Sequence, residues 1–171
     1  MQVEFSWAGE TARHVGTVVH HWLQRIADDA LKGWDAKRIE AERLRIEIEL
    51  TRRGVKAADL AAELVATALK NTLTDERGRW LLGPHPEAKS EYRLRSAGQT
   101  HVIDRMFREA DGTRWVVDYK TGRNEGADVE RFLDREQQRY AGQLRRYLDV
   151  LKESRAGLYF PMHRGWREGA G

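Results

Sequence analysis

The sequence has no cysteine, only three prolines, and no apolar run long enough to span a membrane. Without cysteine there is no disulfide framework, no thiolate zinc site and no Cys-ligated iron–sulfur cluster, which fits a cytoplasmic location. Met1-Gln2-Val3-Glu4-Phe5 lacks the apolar core of a signal peptide. A G-x-x-x-x-G-K-[S/T] phosphate loop is also missing, so the chain is not expected to be an ATP-driven motor. Repeats and low-complexity tracts are absent. What is there reads as globular: 171 residues, 40% hydrophobic and 33% charged, enough for one domain over 1–171 with a real core. A net charge of +3 and a pI near 9.3 permit a polyanionic partner without requiring one.

The most informative stretch runs from His101-Val102-Ile103-Asp104-Arg105 to Trp115-Val116-Val117-Asp118-Tyr119-Lys120-Thr121-Gly122. Two strand-like runs flank Glu109-Ala110-Asp111-Gly112-Thr113, and Asp-Gly is a hairpin turn signal. Period-two alternation puts Val116, Asp118 and Lys120 on one face and Trp115, Val117 and Tyr119 on the other. Val102, Asp104 and Met106 share a face of the first run. Each strand therefore carries a carboxylate in line with apolar residues, where an unpaired charge is costly to bury. A divalent cation between the carboxylates would offset that cost. A buried Asp118–Lys120 ion pair is the alternative, but it leaves Asp104 without a partner.

Upstream, Val3 to Trp7 reads as a strand or extended arm, and Thr11 to Asp29 as an amphipathic helix. A charged helix follows Asp35 as N-cap and ends at Gly54, and a third covers about Ala57 to Thr72. These two helices, within residues 35–72, read as a helical insertion that caps a groove or docks a partner. Asp75 to Pro86 is expected to be a loop with Trp80-Leu81-Leu82 tucked onto the core. Strand-like runs then occupy about 89–95, 100–108 and 114–120, a long helix about 130–153, a last strand 157–160, and a tail 165–171. The implied fold is α/β: a small mixed sheet, made of a three-stranded antiparallel meander and a C-terminal strand, flanked by helices. A strand reached through a long crossover helix can lie parallel to a meander strand.

His20 sits about a quarter-turn from the apolar stripe of the first helix, with Gly16 one turn earlier. A helical glycine costs about 1 kcal/mol against alanine, which makes sense if something must pass close to that turn. A surface or boundary histidine is the plainer explanation. Glu91 lies opposite Tyr92 and Leu94 on the first strand, and is read equally well as an active-site acid or a solvated edge glutamate.

Gly16-Thr17-Val18-Val19-His20, Glu91, Ile103-Asp104-Arg105, Val117-Asp118-Tyr119-Lys120-Thr121-Gly122 and Gln143-Leu144-Arg145-Arg146-Tyr147, in that order, resemble the motifs of the RecB/AddA-type nucleases. That branch of the PD-(D/E)xK superfamily forms the C-terminal nuclease domain of UvrD/Rep-like helicase–nucleases. The resemblance covers His20 to about Phe160, and Asp-Tyr-Lys-Thr-Gly is its most specific piece; the first acidic motif reads Ile-Asp instead of Pro-Asp. The resemblance implies a restriction-endonuclease-like core. It implies one or two Mg²⁺ or Mn²⁺ ions held by His20, Asp104, Asp118 and the Tyr119 carbonyl, with Lys120 at the scissile phosphate and Glu91 as a supporting acid. Oxygen donors suit Mg²⁺, and an imidazole tilts the set toward Mn²⁺. Gln143 and Tyr147, at i and i+4, would address the same DNA strand. Arg123 and Arg146 are the best candidates for phosphate contacts, with Tyr140, Trp22 or Tyr147 as stacking groups; the other arginines of the last helix read as a solvated face neutralised by Glu130, Asp134, Glu136 and Asp149.

The resulting expectation is a metal-dependent DNase acting on single strands or ends in DNA repair or recombination. A helicase domain would serve it in cis or in trans, and the abrupt start and the Arg167–Gly171 tail suggest a domain excised from a longer protein. Two other readings compete: a catalytically silent nuclease-fold module that binds DNA or docks a partner, and a buried ion-pair network in an unrelated α/β domain.

Overall fold

The computed structural model describes residues 9–169; the arm expected over Val3 to Trp7 lies outside them. The chain is built around a mixed five-stranded sheet with strand order β1-β2-β3-β4-β5: β1 Lys89–Ser96, β2 Gln99–Arg108, β3 Arg114–Tyr119, β4 Ser154–Phe160 and β5 Gly165–Glu168. β1, β2 and β3 form the antiparallel meander, β4 lies parallel to β3, and β5 is antiparallel to β4. The expected hairpin closes at Asp111-Gly112, where Gly112 takes φ +91 and donates its N–H to the Glu109 carbonyl.

Helices α1 (Gly9–Asp28), α2 (Ala36–Ala41), α3 (Arg43–Arg52), α4 (Ala58–Leu73) and α5 (Glu76–Leu82) gather on one face, and α6 (Val129–Val150) covers the other. Trp115, Val117, Tyr119 and Tyr159 face the first layer; Val116, Leu158 and Phe160 face Phe132, Leu133 and Leu144 of α6. The alternation read from β3 is therefore the one observed. Crossing from β3 to a parallel β4 requires a long connection, and α6 supplies it.

Three expectations need correction. The charged helix after Asp35 is two helices, α2 and α3. They meet at Glu42, whose N–H is shared by the Arg38 and Ile39 carbonyls, so that Ile39, Ile46 and Leu50 are all fully buried. The loop from Asp75 contains α5, capped where the Asp75 carboxylate accepts the Gly78 N–H, with Leu81 and Leu82 fully buried. Its glycines and prolines read as loop punctuation, but Gly78 is needed because a Cβ there would overlap the Thr72 backbone. Gly165–Glu168 is not a tail but edge strand β5; its Trp166 ring lies over Gly157 of β4, whose lack of a side chain makes the room. The 35–72 segment packs into the body of the domain. Ile39, Ile46, Leu50, Ala61, Val65 and Leu69 complete the core under α1. Among the described residues no helix is long and apolar enough to cross a membrane.

Candidate active site

Pairing across the sheet lapses along one row. The β2–β3 register runs Met106↔Val116 and Arg105↔Val117, which would next oppose Asp104 to Asp118; that pair is missing from the ladder. The β1–β2 register likewise omits Glu91 opposite Asp104, and Glu91 takes φ +52, a strained value for a non-glycine residue. Glu91, Asp104 and Asp118 thus share a row. Like charges placed directly opposite destabilise a sheet, so the row has no structural benefit of its own.

The ladder's donors are taken over by these side chains. The Asp104 amide donates to Asp118 Oδ1 at 3.3 Å, and the Tyr119 amide donates to Asp104 Oδ2 at 2.8 Å. The same Asp104 oxygen lies 3.1 Å from His20 Nε2. On its other side His20 Nδ1 meets the Gly16 carbonyl at 2.7 Å, so Nδ1 carries a proton and Nε2 is the nitrogen turned to the carboxylate. Gly16 proves necessary for a second reason: a Cβ there would sit 2.9 Å from Thr121 Oγ1, immediately after Lys120.

Asp118 is only 2% exposed. It receives the Tyr147 hydroxyl at 3.1 Å, and Lys120 Nζ lies 3.8 Å from its Oδ2. Lys120 donates to Gln143 Oε1 at 2.9 Å, and Gln143 Nε2 donates to the Tyr147 oxygen at 2.9 Å. Gln143 and Tyr147 share a face of α6, as i, i+4 spacing requires, but they do different things. Gln143 lines the cavity. Tyr147 is 1% exposed, so its ring is closed to a nucleobase and its hydroxyl holds Asp118 instead. Trp22 is buried in the core and likewise cannot stack.

A cavity of about 370 Å³ collects His20, Asp104, Asp118, Tyr119, Lys120 and Gln143, with Glu136, Arg139 and Tyr140 along its α6 side. A second, more open cavity shares His20 and Thr121 with it and is lined by Arg13, His21 and Glu91; Glu91 itself is exposed. Arg123 and Arg146 line neither cavity; both are exposed, and Arg123 pairs with Glu125 at 2.6 Å. Glu136 was missed by the sequence reading, which assigned it to a solvated face. Its carboxylate is largely buried at the cavity wall, and one oxygen has no hydrogen-bond partner. Nothing in the local pattern distinguishes it from the neighbouring charges.

Electrostatics follow from this crowding. Burial raises the Asp118 carboxyl to about 6, and the nearby Asp104 charge adds to the effect, while Lys120 opposes it. Burial by itself would lower the His20 imidazole, yet the Asp104 carboxylate outweighs it and lifts the group to about 9. The expectation that an ion-pair network leaves Asp104 unpaired is therefore overturned: His20 pairs with it directly. Among the described residues no three His, Asp or Glu side chains are spread around a common point with metal-ligating spacing. The chemistry of the donors nevertheless fits a divalent cation. Two carboxylates repel across the row, and the imidazole, held through its Nδ1–H, turns Nε2 toward them; that nitrogen would become a ligand when a cation displaces the proton it shares with Asp104.

No curated protein matches the chain. A family model does: that of the PD-(D/E)XK nuclease superfamily, over residues 6–163. With Asp104, Asp118 and Lys120 of the β2–β3 region of a mixed sheet converging on one cavity, the chain belongs to the PD-(D/E)XK nuclease superfamily.

Proposed function

We propose that this domain is a DNase of the RecB/AddA type, hydrolysing phosphodiester bonds of single-stranded DNA or DNA ends with Mg²⁺ or Mn²⁺. On this reading it works in repair or recombination beside a helicase domain supplied in cis or in trans. The observation that carries the reading is the shared cavity of Asp104, Asp118 and Lys120, braced from α1 by His20 and from α6 by Gln143 and Tyr147. His20, Asp104, Asp118 and the Tyr119 carbonyl would hold the cation, which supplies charge neutralisation and activation of water. Glu91, on the same row, would support them from the second cavity.

Each protein group then has a role set by its surroundings. Lys120 keeps donors available beside Gln143 and stabilises negative charge developing on the phosphate oxygens. Tyr147 orients Asp118, and Gly16 fixes which His20 nitrogen faces the centre. Arg123 and Arg146, both exposed, would contact the DNA backbone.

The test is cleavage of end-labelled linear and circular single-stranded DNA in Mg²⁺, Mn²⁺ or EDTA, comparing wild type with Asp118→Ala and Lys120→Ala. The expected result is metal-dependent cutting that each substitution lowers at least about a hundredfold. An uncut circle would mark an exonuclease. The direct His20–Asp104 contact favours a second reading, a silent nuclease-fold module; DNA binding with no cutting in either metal would establish it.

A further inference from the structure

Tyr140 lines the cavity from α6 but bonds to neither carboxylate. What it faces is the lysine: Lys120 Nζ lies 4.0 Å from its ring centroid. The same nitrogen donates to Gln143 Oε1 at 2.9 Å and stands 3.8 Å from Asp118 Oδ2, too far for a hydrogen bond. An ammonium has three N–H donors and no acceptor. Gln143 takes one, and the electron-rich ring face attracts the charge from another side.

This arrangement matters because lysine is flexible. Its four-carbon stem allows the ammonium to fold against the strongest acceptor nearby, the Asp118 carboxylate, where it would serve as a counter-ion only. Tyr140 and Gln143, three residues apart on α6, hold it on the cavity side instead. The ring is half-buried, and Arg139 also approaches it, with Cζ 5.3 Å from the centroid. A nucleobase stacking on Tyr140 would have to displace Lys120 or Arg139 from it.

We propose that Tyr140 is a positioning residue that holds the Lys120 ammonium in the cavity through its ring face, and is not a stacking platform for DNA. The proposal rests on the nuclease reading for its effect on rate, but not for the contact itself. It assigns the work to the ring and none to the hydroxyl, so Tyr140→Phe and Tyr140→Leu separate the roles. Leucine keeps apolar volume and helix propensity while removing the π face. Matched circular dichroism and unfolding curves would establish that both variants fold.

With nuclease activity as readout, Tyr140→Leu should lower kcat about tenfold at unchanged KM, and Tyr140→Phe should stay within about twofold of wild type. DNA affinity in EDTA should be unchanged in both. A second readout needs no activity: the Lys120 Cε protons should show an upfield ring-current shift in NMR spectra of wild type and Tyr140→Phe that disappears in Tyr140→Leu. Raised KM and weaker DNA binding with kcat intact would make Tyr140 a stacking platform and overturn the proposal, as would a wild-type spectrum without the shift. If the shift is present and no metal supports cleavage, the placement of Lys120 stands and only the nuclease reading fails.

Discussion

Two tyrosines that face each other across the β3–β4 ladder, Tyr119 and Tyr159, differ in what their hydroxyls meet. Tyr159 donates to the Asp75 carboxylate at 2.8 Å, whereas the Tyr119 hydroxyl is buried without a hydrogen-bond partner. Burial raises both phenols well above their usual range, so each hydroxyl stays protonated and must donate or go unsatisfied. An unmade bond costs desolvation with nothing in return. Tyr119→Phe should therefore be neutral or stabilising by up to about 1 kcal/mol. Tyr159→Phe should cost about 1–2 kcal/mol, because it also deprives the carboxylate that caps α5. Urea unfolding of the two variants side by side checks the contrast; equal destabilisation would contradict it.

At the scale of elements, the site is a junction of α1, the β2–β3 pair and α6, and its tightest point is where α1 passes the segment following β3. Gly16 is the reason they fit. Replacing it with alanine adds about 1 kcal/mol of helix propensity but forces Thr121 Oγ1 to move. The two effects nearly cancel in stability, and the displacement falls on the residue next to Lys120. Gly16→Ala is thus expected to change unfolding free energy by less than about 1 kcal/mol while lowering nuclease activity. Adding Thr121→Ala, which removes the obstructing oxygen, should restore activity. Failure of that rescue would mean that Gly16 serves His20 alone.

Across the whole molecule, the stretch after Lys120 is tied to the turn that follows the neighbouring strand β4. The Asn124 amide donates to His163 Nε2 at 2.9 Å, joining the β3–α6 connection to the β4–β5 turn. Burial, with the Arg123 charge adding to it, holds the His163 imidazole below its ordinary 6.5. The neutral ring is the acceptor, so the folded state favours the deprotonated form. Its contribution to stability is complete above pH 6.5 and is lost as pH falls through the depressed folded value. Comparing wild type with His163→Leu, which cannot accept, the gap in unfolding free energy should be widest above pH 7 and narrow toward pH 5. A gap independent of pH would assign the contact to packing.

The sequence by itself determined the local patterns. Alternation placed Asp118 and Lys120 on one face of β3 because a strand's period of two is a property of the backbone. The Asp-Gly turn, the glycine one turn before His20, and Gln143 with Tyr147 on one face of α6 were equally readable, since each is a spacing within a few residues, and the crossover to a parallel strand was readable from the length of the helix between the strands. Tertiary structure alone decided what those side chains meet. Tyr147 was expected to address DNA, and closure of α6 onto β3 buried it against Asp118. Glu136 moved from a solvated face to the cavity wall, and Tyr140 met a lysine instead of open groove. α5 and β5, too short to show a period, formed only because Asp75 and Gly157 offered a cap and a space to their neighbours. Direction along the chain is set by local backbone geometry, whereas partnership depends on contacts between residues distant in sequence, such as His20 with Asp104 and Lys120 with Gln143.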